Sequence, residues 1–169
     1  MKQLTSNELR VLRKDNTSYN GPNLLLDNVS DPRNIGNILR LADAFGCNTV
    51  GFWKNMPDFT NPKLRAMSRG AEAYLDLQLI QEKPAVRLVA VEITNVSLSI
   101  FSTSLHNTDM LVVGNENLGI SQEVLDLCDL ATSIPMFGTL GSLNVANAVA
   151  VALFEIRRQQ YASSTLANL

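Results

Sequence analysis

Short, nearly unbroken apolar runs spaced by helical segments constrain the fold of this chain more than any other feature. Candidate strands cover 24–29, 49–53, 87–94, 110–114 and 131–135, and those at 87–94 and 110–114 are near-continuously apolar. Strands that are apolar on every residue, rather than on alternate ones, belong to sheets covered on both faces, which is the situation of a parallel sheet. Between them lie segments with helical punctuation. One spans 32–45, with Asp31 as N-cap, Pro32 in the first turn, a stripe of Ile35, Ile38, Leu39, Ala42 and Phe45, and Gly46 as its stop. A second starts at Asn61-Pro62 and runs to Ser68, with Gly70 behind it, and a third is capped by Ser121 and runs to Leu127. The alternation predicts an α/β fold with a parallel sheet sandwiched by helices.

The last strand leads through a loop containing Gly138 and Gly141 into a long helix that opens at Ser142-Leu143-Asn144. Val145, Ala148, Val149, Ala152, Leu153 and Ile156 mark its apolar face. Core packing accounts for the stripe, and capping accounts for one polar residue at the helix mouth. Flexible backbone beside a helix N-terminus is also a means of presenting N–H groups to a ligand.

At 169 residues, 46% hydrophobic and 18% charged, the chain has the size and composition of one globular domain. No apolar run approaches the roughly 18–20 residues that span a bilayer, and the first sixteen residues lack the apolar stretch of a secretory signal. A cytoplasmic protein without a membrane partner is expected. Cys47 and Cys128 are far apart and read as buried free thiols, and the single His106 cannot build a metal cluster, so no metal is implied. A net charge of −2 does not by itself point to nucleic acid. The basic residues are nevertheless unevenly distributed. Lys2, Arg10, Arg13 and Lys14 lie near the start, Arg33 and Arg40 bracket the first helix, Lys63, Arg65 and Arg69 cluster, and Arg157 and Arg158 follow the last apolar stripe.

Three segments, each at a strand-to-helix junction, carry a family likeness: DPRNIGNILR from Asp31 to Arg40, GNENLGIS from Gly114 to Ser121, and SLNVANA from Ser142 to Ala148. Taken in this order they resemble the three signature motifs of the SpoU (TrmH-like) RNA ribose 2′-O-methyltransferases of the SPOUT superfamily. The resemblance runs from about residue 24 to 159. It implies a deep trefoil knot near the C-terminus, which general topological rules would not have suggested. It also implies a homodimer built on the first-motif and last helices, with S-adenosylmethionine as cofactor. On this reading 1–20 is a short polar extension, 21–161 the methyltransferase domain and 162–169 a tail.

No G-x-G-x-x-G follows the first strand, so a Rossmann-type cofactor site is unsupported. The resemblance instead places the cofactor among the loops after the strands. It implies contacts from Gly114, Gly119, Ile134, Met136 and Leu143, and from Thr94 at the end of the 87–94 strand. For the transfer it implies Arg40, Asn34, Glu116, Ser142 and Asn144. Arg40 acts either as general base or, since a guanidinium keeps its proton below pH of about 12, as an electrostatic grip on phosphate and 2′-oxygen. Asn34 orients Arg40 or the backbone, Glu116 orders the cofactor and substrate loops, and Ser142 and Asn144 position ribose or arginine, with helix capping a second role for Ser142. Arg33, Arg10, Arg13 and Lys14 are the expected RNA contacts, and the RNA is a tRNA or an rRNA. The alternative, an RNA-binding paralogue without catalysis, is disfavoured because every motif position needed for turnover is present.

Overall fold

The computed structural model describes residues 3–5, 8 and 20–166; Arg10, Arg13 and Lys14 lie outside the described residues. In chain order the elements are β1 (Asn23–Leu26), α1 (Pro32–Ala44), β2 (Thr49–Trp53), α2 (Pro62–Ser68), a 3-10 turn (Ala71–Ala73), β3 (Asp76–Ile80), β4 (Leu88–Val91), β5 (Leu98–Ser99), β6 (Met110–Val113), α3 (Gln122–Leu125), β7 (Leu130–Ser133) and α4 (Val145–Leu166). The strands form one sheet in the order β3-β2-β1-β6-β4-β7-β5, and every pairing is parallel.

The continuous apolar runs follow from burial on two faces. Side chains alternate across a strand, so neighbouring residues feed different cores. Leu24, Leu26, Val50, Phe52, Val89, Leu111 and Val113 join one core with Ile38, Leu39, Leu64, Val149, Leu153 and Ile156 of the helices. Leu25, Trp53, Leu88, Ala90, Met110 and Val112 join a second core with Ile120 and Val124. The first face therefore carries α1, α2 and α4, and the second is covered by the short α3 and its flanking turns.

The helix boundaries have local causes. Asp31 caps α1 through the Arg33 N–H (2.8 Å), and Asn61 caps α2 through the Lys63 N–H (2.9 Å). Gly36 lets α1 lie directly on α2, because a Cβ there would run into the Leu64 carbonyl and the Met67 side chain. Arg157 on α4 ties the C-terminal end of α1 by donating from Nε and Nη2 to the Phe45 carbonyl (2.8 and 2.6 Å). It is thus a structural clamp rather than a free cation. Gln159 bridges the chain at Leu105 and Thr103 in the same way.

Two strands escaped the sequence reading, β3 and β5, both at sheet edges. The last helix continues through Leu166, so the stretch expected as a tail starts as helix. Cys47 is buried and Cys128 half-buried, both as free thiols. Burial pushes the Cys47 thiol up to about 12 and that of Cys128 up to about 11. Among the described residues no helix is long and apolar enough to cross a membrane.

Candidate active site

Strands β6, β4 and β7 are adjacent in the sheet, and their C-terminal ends open onto a cavity of about 250 Å³. Open α/β sheets bind ligands at this edge. The cavity floor is the turn after β6, one side is the segment after β7, and the other is the approach to α4. Gly114, Gly119, Ile134, Met136 and Leu143, the residues expected to hold the cofactor, line it, and so do Glu116 and Ser142. Gly114 is there by necessity, because a Cβ would collide with the backbone of Gly119 and Ile120. The turn therefore closes on itself backbone to backbone, and it is locked by paired N–H···O bonds between Asn115 and Gly119 (both 2.9 Å).

Glu116 is the centre of the arrangement. Its Oε2 accepts from the Ser30 N–H (3.1 Å) and hydroxyl (3.0 Å), and its Oε1 accepts from the Asp31 N–H (3.0 Å) and the Asn34 amide (2.8 Å). Asn144 Nδ2 in turn donates to Asn34 Oδ1 (2.9 Å). One continuous chain of hydrogen bonds, Asn144 to Asn34 to Glu116, thus joins segments separated by up to 110 residues. Partial burial works against ionisation of Glu116. The Asn34 amide and the backbone donors of Ser30 and Asp31 outweigh it and hold the carboxyl below its ordinary range. A carboxylate accepting several N–H bonds behaves this way.

Asn144 has a second duty. Its Oδ1 accepts from the Ala146 and Asn147 N–H groups (3.0 and 3.4 Å), so it caps α4. This corrects the capping role expected for Ser142, which precedes the cap by two residues and faces the cavity instead. Asp31, the α1 cap, is held down to about 2 by the Arg33 guanidinium that bonds it. Arg33 is therefore paired with Asp31 (2.6 Å) while its side chain remains 65% exposed.

Arg40 stands apart. It is exposed, makes no hydrogen bond or ion pair among the described residues, and does not line the cavity. Six residues on a helix amount to 1.67 turns, which turns Arg40 and Asn34 onto different faces of α1. Asn34 accordingly bonds Glu116 and Asn144, with no contact to Arg40. Thr94 also lies outside the cavity, its hydroxyl and N–H engaged in a turn with Val96 and Ser97.

Two acidic residues at this edge went unnoticed in the sequence. Glu92 directly follows β4 and lines the cavity, and its Oε2 accepts from the Ile120 N–H (3.0 Å). The signal was present, since the first residue past a parallel strand is the one that faces the ligand edge. The expected strand ran three residues too long and carried attention to Thr94. Buried Asp27, just past β1, accepts from the Ser121 N–H (2.6 Å) and so anchors the far end of the Gly114–Ser121 segment.

Comparison with known proteins identifies the family of this fold. The SpoU rRNA Methylase family matches residues 21–154. The 23S rRNA (guanosine-2′-O-)-methyltransferase RlmB of Pasteurella multocida is 36% identical over 151 residues, 82% of this chain and 60% of that protein. The SpoU methyltransferase AviRb from Streptomyces viridochromogenes, solved with the cofactor AdoMet, superposes with a TM-score of 0.74 at 29% identity, covering 83% of this chain and 58% of that one. A structure described as giving insight into the 2-OH methylation of C/U34 on tRNA reaches a TM-score of 0.73 at 29% identity, covering 83% of this chain and 96% of that one. This chain spans 55–59% of the length of the first curated relatives it matches.

Proposed function

The chain belongs to the SpoU rRNA methylase family, and we propose that it transfers a methyl group from S-adenosylmethionine to a ribose 2′-hydroxyl of tRNA or rRNA. The observation that carries this reading is the Asn144–Asn34–Glu116 hydrogen-bond chain, which ties the first motif to the second and third, the two that line the cavity.

The cavity suits this cofactor on chemical grounds. Its walls offer backbone polar groups and the apolar side chains of Ile134, Met136 and Leu143, which fit an adenosine, and among the described residues its only ionisable lining residues are Glu92 and Glu116. Two carboxylates favour a cationic guest over an anionic one. Gly114, Gly119, Ile134, Met136 and Leu143 would hold the cofactor, which when bound supplies an electrophilic methyl on a sulfonium.

The chain's own groups do the rest. Glu116 fixes the entry to α1 against the cavity floor, and Asn34 passes that constraint to Asn144 and hence to the mouth of α4. Ser142 faces the same cavity and orients the ribose. Arg40, exposed and unpaired among the described residues, grips the RNA phosphate and stabilises charge growing on the 2′-oxygen. Exposed Lys63, Arg65 and Arg69 on or beside α2 extend that cationic face, and Arg33 joins it. Arg10, Arg13 and Lys14 belong to the same reading as further phosphate contacts.

The reading includes a homodimer, a deep trefoil knot and a cytoplasmic setting. Exposed Val151 and Phe154 on α4 supply an apolar face for the dimer.

The test is transfer of tritiated methyl from S-adenosylmethionine to pooled tRNA and to rRNA. Label in one pool that maps to a ribose 2′-oxygen is expected, with Arg40→Ala lowering the rate about 10²–10³-fold, the scale for loss of a transition-state charge partner. Cofactor binding without label in either pool would sink the proposal.

A further inference from the structure

A second cavity, of about 300 Å³, lies on the other side of the Glu116 network, and no step of the methyl transfer uses it. It is bounded by the ends of β1 and β2 and by the first turns of α1 and α2. Only one layer of hydrogen bonds separates it from the cofactor cavity. Asn115 and Glu116 line the first cavity, while Asn28 and Ser30 line the second. Asn115 Nδ2 donates to the Asn28 carbonyl (2.9 Å), and the Ser30 hydroxyl donates to Glu116 (3.0 Å).

We propose that this second cavity receives a single nucleobase of the RNA substrate, unstacked so that its ribose reaches the cofactor cavity; the proposal rests on the methyl-transfer reading. Phe52 gives an aromatic wall, backed edge-on by Phe59 (centroids 5.8 Å apart, planes at 79°), and Met56 and Pro57 give the facing apolar surface. Aromatic lining among apolar side chains is the usual receptor for an extruded base. Polar groups around the rim are open for its edge. The Asn55 side chain, Asn28 Oδ1 and Asn61 Nδ2 have no hydrogen-bond partner among the described residues, so both donors and acceptors are offered. Among the described residues no cationic side chain lines the cavity, and Asp58 does, which favours a neutral base over a phosphate. Lys63, two residues after Asn61, is exposed and suited to the phosphate outside.

The experiment uses the isotope-labelled full chain, its amide resonances assigned, first saturated with S-adenosylhomocysteine to fill the cofactor cavity. Each of the four ribonucleoside 5′-monophosphates is then titrated to millimolar concentration. The expected result is that at least one of them shifts the amides of Asn28, Phe52, Asn55 and Met56. An Asn55→Ala/Met56→Ala variant, altering two exposed side chains, should bind it about tenfold more weakly, the scale of one stacking and edge contact. The proposal is overturned if no nucleotide shifts these amides, or if the variant binds undiminished. Failure of the methyl-transfer reading is separately visible, as absence of shifts from Gly114 to Leu143 on adding S-adenosylhomocysteine.

Discussion

At Glu116 one carboxylate gathers four donors from a segment more than eighty residues away, so its removal has consequences that can be apportioned. Truncation leaves the Asp31 and Ser30 N–H groups and the Asn34 amide without their acceptor, at a cost of about 1–3 kcal/mol. Glu116→Gln retains the shape but replaces one acceptor oxygen with a donor, so it should lower thermal stability at neutral pH and raise the KM for cofactor. The pH dependence has a definite sign. A carboxyl whose folded-state pKa lies below its ordinary 4.5 binds fewer protons folded than unfolded near that value. Its stabilisation is complete above 4.5 and fades as pH falls through the folded-state value. The Tm gap between wild type and Glu116→Gln should therefore narrow on acidification; a gap independent of pH would show that the charge contributes nothing. Thiol chemistry gives a second check at this scale. With burial pushing Cys47 to about 12 and Cys128 to about 11, neither is a ready thiolate at pH of about 8, so iodoacetamide should label both only after denaturation.

The element scale turns on the contact of α1 with α2. An alanine at Gly36 gains about 1 kcal/mol of helix propensity. Against that, its Cβ meets the Leu64 carbonyl, a backbone group that cannot rotate away, and Met67 Cβ at 2.8 Å. Overpacking of this kind costs about 1–3 kcal/mol, so the net effect of Gly36→Ala is destabilising, read as a lower Tm. Because Asn34 sits two residues away on α1, the same variant should also weaken cofactor binding. On α4, Leu153→Ala removes a fully buried side chain and should cost about 2–5 kcal/mol by denaturant unfolding. These elements were legible because their signals are local: the caps Asp31 and Asn61, the glycine after α1, the apolar stripe of α4. β3 and β5 were not. β3 exposes Asp76, Gln78 and even Leu79 (45%), and β5 is two residues long. Such strands are held by register with a neighbour rather than by their own hydrophobicity, and a single sequence does not display a register. Asp27 was hidden for a related reason: its partner, Ser121, is 94 residues distant.

At the scale of the whole molecule, charge and exposed apolar surface have to be reconciled with an RNA substrate. A net charge of −2 gives no long-range attraction to phosphate, so RNA binding on the proposed reading rests on local cations, those of α1 and α2 together with Arg10, Arg13 and Lys14 of the sequence. One copy presents Arg40 unpaired among the described residues and away from the cofactor cavity, while α4 exposes Phe154 (61%) and Val151 (40%) one turn apart. Association through this face would bury the apolar pair and set two cationic faces into one assembly. The expectation is that the wild-type chain sediments at twice its 18.5 kDa mass. Phe154→Asp should bring it to the single-chain mass, because an interface cannot bury an unpaired carboxylate without loss of several kcal/mol. RNA affinity should fall with it, and the logarithmic salt slope should become shallower as fewer phosphates are neutralised. Circular dichroism separates this from misfolding, since Phe154 is exposed and its replacement leaves both cores intact. A variant that still sediments as a pair would move the interface elsewhere. One that becomes a single chain yet binds RNA with an unchanged salt slope would show that each copy carries its whole RNA surface alone.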